Sequence, residues 1–179
     1  KEVVIAADLA LATGLCKIGS YYYFFDETTG EKYSPGWAVS SDGSRYYLND
    51  YGYAVSGWKT IDGNSYYFST STRAAFTGLR YIGSYYYFFD ENTGAMLAGG
   101  WVTAKDGSRY YLNNSGSPYT GWLTYDGKKY YFGTSSKKAL TGFWRLTSGA
   151  YYFDETTGEL ITGNGPYTAP DGSVYYLTS

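Results

Sequence analysis

The chain has 179 residues, of which 22% are aromatic and 17% charged, with 25 Tyr, 24 Gly, one Cys and no His. Without His and with a single Cys it has neither a His/Cys metal site nor a Ser–His or Cys–His couple. The formal net charge of −2 leaves no basic footprint for nucleic acid, the aromatic content argues against disorder, and no run of about 18 apolar residues is present to insert into a membrane.

The first residues, Lys1 to Asp8, carry too short an apolar run for a signal peptide, with an acid inside it. The segment 9–14 resembles 138–142, the tail of a repeat farther on. Residues 1–13 therefore read as the end of a preceding repeat or a cap, and 14–179 as one repeat domain. Cys16 reads as a small buried residue.

From there a Gly followed by a large residue recurs: Gly14-Leu15, Gly36-Trp37, Gly57-Trp58, Gly78-Leu79, Gly100-Trp101, Gly121-Trp122 and Gly142-Phe143, with Gly163-Asn164 ending the pattern. Each unit of about 21 residues runs into a Gly-containing turn, then a Tyr-Tyr-Leu or Tyr-Tyr-Phe run, then a polar turn. Asp-Gly stands at 42–43, 62–63, 106–107, 126–127 and 171–172. Between β-type runs it predicts a hairpin with a type I′ turn, whose two central residues need positive φ. Each unit thus reads as one β-hairpin. Isolated hairpins are marginal in water, so the units must stack.

A longer period is sharper. Residues 14–77 and 78–141 match at 37 of 64 positions, whereas 36–56 and 57–77 match at 5 of 21. The repeat is a triplet of hairpins, and three hairpins (64 residues) are expected to make one turn of an all-β solenoid. In Arg45-Tyr46-Tyr47-Leu48, alternation puts Tyr46 and Leu48 on one face, the expected core, and turns Tyr47 toward the grooves between hairpins.

The pattern Gly57-Trp58-Lys59-Thr60-Ile61-Asp62-Gly63, then Tyr66-Tyr67-Phe68, then Thr77-Gly78, resembles the cell-wall-binding repeat superfamily, which includes choline-binding and glucan-binding repeats. It is most similar to the short repeats of the receptor-binding region of large clostridial toxins. The resemblance spans about residues 9–179. It implies a left-handed solenoid of stacked β-hairpins, a secreted or surface location on a Gram-positive bacterium, and non-catalytic attachment to a glycan or wall polymer such as teichoic acid, glucan or a host oligosaccharide.

In choline-binding relatives a groove holds the aromatic before Tyr-Tyr, the second Tyr, and the Trp of the next unit. Carried over, this groups Tyr21, Tyr23 and Trp37, and 64 residues on Tyr85, Tyr87 and Trp101. It also groups Arg45, Tyr47 and Trp58, and Arg109, Tyr111 and Trp122. Weaker sets are Ser65, Tyr67 and Leu79, then Lys129, Tyr131 and Phe143, then Ala150, Tyr152 and Asn164. Cation–π attraction would hold choline in an aromatic cage, but Arg45, Arg109 and Lys129 add a like charge. A saccharide suits those grooves better, its C–H faces on rings and its hydroxyls on polar tips. Choline at the all-aromatic grooves and a spacer or adhesin stalk without ligand are the alternatives.

The acid pairs Asp26-Glu27, Asp90-Glu91 and Asp154-Glu155 recur in a turn pattern and read as loop residues. They lack the EF-hand spacing for calcium and the facing arrangement of a glycosidase. No cofactor signature is present, since every Gly fits the hairpin period. End hairpins would leave open edges, so end-to-end pairing between copies is expected.

Overall fold

A computed structural model describes residues 12–178. The expected cap or repeat end at 1–13 lies, up to residue 11, outside the described residues. The fold is all-β. Its strands are β1 (Gly14–Ile18), β2 (Tyr21–Phe25), β3 (Gly36–Val39), β4 (Arg45–Leu48), β5 (Gly57–Ile61), β6 (Asn64–Phe68), β7 (Gly78–Ile82), β8 (Tyr85–Phe89) and β9 (Met96–Leu97). There follow β10 (Gly100–Thr103), β11 (Arg109–Leu112), β12 (Gly121–Tyr125), β13 (Lys128–Phe132), β14 (Gly142–Leu146), β15 (Gly149–Phe153), β16 (Gly165–Thr168) and β17 (Val174–Leu177). Successive strands pair as antiparallel hairpins, and β9 joins β7 and β8 in a three-stranded sheet.

The turns differ from the uniform type I′ expectation. Asp62 (φ 49°) with Gly63 (φ 78°), and Asp126 (φ 51°) with Gly127 (φ 73°), do form the type I′ pair. At 42–43, 106–107 and 171–172 only the Gly is left-handed. There five residues separate the strands, and the amides of Gly43, Gly107 and Gly172 donate to the carbonyls of Ser40, Ala104 and Ala169. A longer loop lets Asp stay right-handed and leaves Gly to make the bulge. The last hairpin also begins at Gly165 rather than Gly163, so Pro166 stands opposite Tyr176 where other hairpins carry Trp, Leu or Phe.

Stacking is carried by the segment after each hairpin. It bridges back to its own second strand, as at Leu48 with Ala54 and Phe132 with Ala139. Its amide also donates to the preceding hairpin: Ala54 to the Tyr22 carbonyl (2.8 Å), Ala75 to Arg45 (2.7 Å), Ala139 to Arg109 (2.8 Å) and Leu160 to Lys129 (2.7 Å). Pro118, 64 residues after Ala54, has no N–H for this bond.

The expected core face is the observed one: Tyr46 and Leu48 are buried, with Ala38 beside them. The same environments recur 64 residues on, at Phe24 and Phe88, Leu48 and Leu112, Tyr66 and Tyr130, Phe68 and Phe132. Each such side chain contributes roughly 1.5–3 kcal/mol of burial. Cys16 is free and half-buried rather than fully enclosed. The chain falls into two compact units, one of residues up to Gly78 with Asn92–Met96, the other of Leu79–Glu91 with residues from Leu97 on.

Candidate functional site

Hairpin register decides which side chains share a slot. Gly opens each first strand opposite the last residue of the second, so the next residue always faces the one before it: Trp37 faces Tyr47, Trp58 faces Tyr67, Trp101 faces Tyr111 and Trp122 faces Tyr131. The second strand of the following hairpin brings its first Tyr beside that Trp. Trp37 meets Tyr47 at 5.3 Å and 73°, and Tyr66 at 5.0 Å and 65°. Trp101 meets Tyr111 at 5.5 Å and 80°, and Tyr130 at 4.7 Å and 66°. Trp122 meets Tyr131 at 5.1 Å and 81°, and Tyr151 at 5.0 Å and 73°. Trp58 stands edge-on to Tyr67 at 5.3 Å. The slot is therefore one Trp, the second Tyr of its own hairpin and the first Tyr of the next, a different grouping from that carried over from the family pattern.

Tyr21 and Tyr23 meet through Tyr53, stacked on Tyr21 at 4.2 Å and edge-on to Tyr23 at 5.2 Å, with the Lys32 ammonium 4.4 Å from the Tyr23 ring. In this hairpin Leu15 faces Phe24 and Lys17 faces Tyr22. Register thus puts Tyr22 and Phe24, one residue on from Tyr21 and Tyr23, where Arg45 and Tyr47 stand in the next hairpin. A run of three Tyr hides such a slip, which exchanges faces. Tyr85 is largely exposed and Tyr87 half-buried. Of the weaker sets, Tyr67 packs on Phe76 at 5.0 Å, Phe143 stacks on Tyr175 at 5.3 Å and 15°, and Tyr152 lies buried against Tyr167 and Tyr175.

The arginines lie where register sends them. Arg45 shares a face with Trp37, and its guanidinium carbon is 4.6 Å from that indole. Arg109 lies over Trp101 at 4.2 Å. The buried Nε of Arg45 has no hydrogen-bond partner, as expected of a guanidinium spread on a ring. A second recurring pair sets Arg73 over Tyr22 at 4.4 Å and Lys137 over Tyr86 at 5.0 Å. Both cations sit at left-handed residues, φ 63° and 62°. Trp122, 38% exposed, is an open slot: among the described residues no side-chain cation stacks on it. Lys129 holds the position of Arg109 but carries no such stack, because its shorter, unforked head stays in water.

The acid pairs serve loops. Asp26 and Asp154 accept from two following amides and a Thr hydroxyl each, and these bonds hold both carboxyls below their ordinary pKa. Glu27 accepts from the Ser41 amide at 2.9 Å, and Glu155 from the Tyr152 hydroxyl at 2.6 Å. Among the described residues no cluster of three or more His, Cys, Asp or Glu is placed to hold a metal.

Residues 55–101 and 76–119 match the choline-binding repeat model, and 120–135 match the cell wall binding repeat model. The chain is similar to choline binding protein F of Streptococcus pneumoniae, with 26% identity and TM-score 0.62 over 92% of this chain and 57% of that one. CbpJ of the same organism is 28% identical with TM-score 0.62, over 90% of this chain and 57% of that one. The choline-binding domain of its CbpL, at 23% identity and TM-score 0.55, covers 93% of both chains and shows the shared fold. No curated protein matches significantly. The repeats within residues 55–135 thus match choline-binding and cell wall binding repeats, and the solved relatives share the fold. The chain spans 57% of the length of the first two relatives.

Proposed function

We propose that this chain is a non-catalytic cell-wall-binding module of a secreted or surface protein from a Gram-positive bacterium, and that the slot of Trp122, Tyr131 and Tyr151 takes a quaternary ammonium, choline on a wall polymer such as teichoic acid. The observation that carries the reading is this slot: one indole with two Tyr rings near right angles to it, partly exposed and uncapped. Three rings around one cation match cation–π recognition, worth about 0.5–2 kcal/mol per ring. The acids offer no competing chemistry, being committed to loop amides and hydroxyls. The relatives, which are themselves choline-binding proteins by name, support the same reading.

Titration calorimetry with choline tests it. Wild-type protein binds choline, and Trp122→Ala removes that binding while Trp37→Ala and Trp101→Ala retain it. A wild-type chain that neither binds choline nor stays on a tertiary-amine resin overturns the reading. A second reading rests on Arg45 and Arg109. Their guanidinium groups already supply the cation over Trp37 and Trp101, so those slots favour a saccharide or anionic stretch of polymer, glucan or a host oligosaccharide included. We further propose the three-hairpin turn from the 64-residue period, its left hand from the family resemblance, and end-to-end pairing of copies from open strand edges.

A further inference from the structure

Trp144 is the fifth Trp of the chain and stands outside the Gly-Trp positions. It occupies the third place of β14, opposite Tyr151, where the other hairpins carry Cys16, Ala38, Lys59, Arg80, Val102, Leu123 or Tyr167. It is 44% exposed. Its indole N–H donates to the Thr141 carbonyl at 2.8 Å, which fixes the ring without using its faces. The ring borders a cavity of about 550 Å³ that also meets Asp106, Ser136, Lys138, Glu155 and Thr156. This is the size range of small-ligand sites.

The wall is polar in a particular way. Lys138 donates to Asp106 at 2.9 Å, which presents a carboxylate and an ammonium side by side with unused valences: the carboxylate accepts, the ammonium has two further protons. Ser136 and Thr156 add hydroxyls that donate or accept. A neutral pyranose carries both needs: an apolar C–H face and vicinal hydroxyls that each donate and accept. The lining balances two carboxylates, Asp106 and Glu155, against two cations, Arg109 and Lys138, and a choline headgroup has no hydrogen to donate to the acids and no lone pair to accept from the cations.

We infer that the cavity beside Trp144 is a saccharide-binding site, distinct from the aromatic slots, taking one pyranose ring of a neutral glycan with its C–H face on Trp144 and adjacent hydroxyls on Asp106 and Lys138. Two sources share this chemistry, an N-acetylhexosamine strand of wall glycan and a glucose polymer.

The test titrates the full chain with chitotriose and, separately, isomaltotriose, following tryptophan fluorescence and heat. At least one trisaccharide binds wild type, and its identity names the source. Trp144→Ala weakens that binding roughly ten-fold or more, the loss expected at an aromatic anchor, and Asp106→Asn, away from the rings of the Trp122 slot, weakens it while leaving choline binding unchanged. Trp122→Ala does the reverse, so failure of this site and failure of the choline slot are separable. Asp106→Asn and Trp144→Phe, checked by thermal unfolding, serve if Trp144→Ala does not fold; Asp106→Asn weakens and Trp144→Phe partly retains binding. Absence of wild-type binding up to about 10 mM of either sugar, weaker than any useful single contact, overturns the inference. So does a folded Trp144→Ala that binds as wild type does.

Discussion

Two residues separate the slots of this chain. Arg45 and Arg109 each place a guanidinium over their own hairpin's indole, whereas Lys129 at the same register does not. A guanidinium gives up little hydration to stack and an ammonium gives up more. At the same scale, Asp106 shows how an ion pair responds to acid. Hydrogen bonding from Lys138, with the Ser108 amide beside it, lowers its carboxyl from the ordinary 3.8 to about 2. A carboxyl lowered in the folded state stabilises the fold above its unfolded pKa and loses that contribution as pH falls from about 4 toward 2. The group is exposed, so the effect is small. In Asp106→Asn the thermal midpoint falls less steeply with acid over that window than in wild type, which calorimetry at stepped pH reads directly.

At the scale of the element, turn chemistry and close approach set what each hairpin tolerates. Gly158 has φ 70°, and a Cβ there would lie 3.1 Å from the Leu140 carbonyl oxygen and 3.2 Å from the Ala139 Cβ. Gly172 has φ 85° and open space around it. Left-handed backbone costs an L-residue about 1–2 kcal/mol. We therefore expect Gly172→Ala to cost about that much and Gly158→Ala to cost about 1–3 kcal/mol more, for overpacking against backbone; urea unfolding separates the two. The stacking bonds give a parallel case. Ala139→Pro removes the amide that reaches the Arg109 carbonyl and is expected to cost about 1–3 kcal/mol, for the acceptor left unsatisfied. Pro118 shows that the corresponding place after β11 is built without that donor.

Across the whole molecule, function rests on repetition with variation. Slots of similar geometry recur, and single contacts of this kind are weak. A polymer that meets several of them gains because later contacts are intramolecular. The variation is testable: replacing Arg45 and Arg109 by Ala uncaps Trp37 and Trp101, and choline stoichiometry per chain, measured by calorimetry, rises above that of wild type. An unchanged stoichiometry would show that the guanidinium groups do not gate those slots.

Much of the architecture is legible in the residues. Gly followed by a large residue marks the first seven hairpins, because that Gly pairs with the end of the second strand and its neighbour enters the slot. Alternation identifies Tyr46 and Leu48 as core, since strand geometry leaves no other choice. Asp62-Gly63 and Asp126-Gly127 declare their turns because only two residues join the strands there. Other features stay hidden. Tyr21-Tyr22-Tyr23 reads the same in either register, and only pairing with Leu15 and Lys17 sets the faces. Gly163 and Gly165 both offer a start for the last hairpin, and the five-residue turn at 169–173 selects Gly165. The slot partners come from the next hairpin, so no local pattern names them. Trp144 gains its meaning from Asp106 and Lys138, brought to it by inter-hairpin hydrogen bonds. Periodicity and side-chain alternation are local consequences of bond geometry, and the sequence alone determined the hairpins and their repeat from them. Which rings and cations meet depends on register and stacking between segments thirty or more residues apart, and only the tertiary structure decided that.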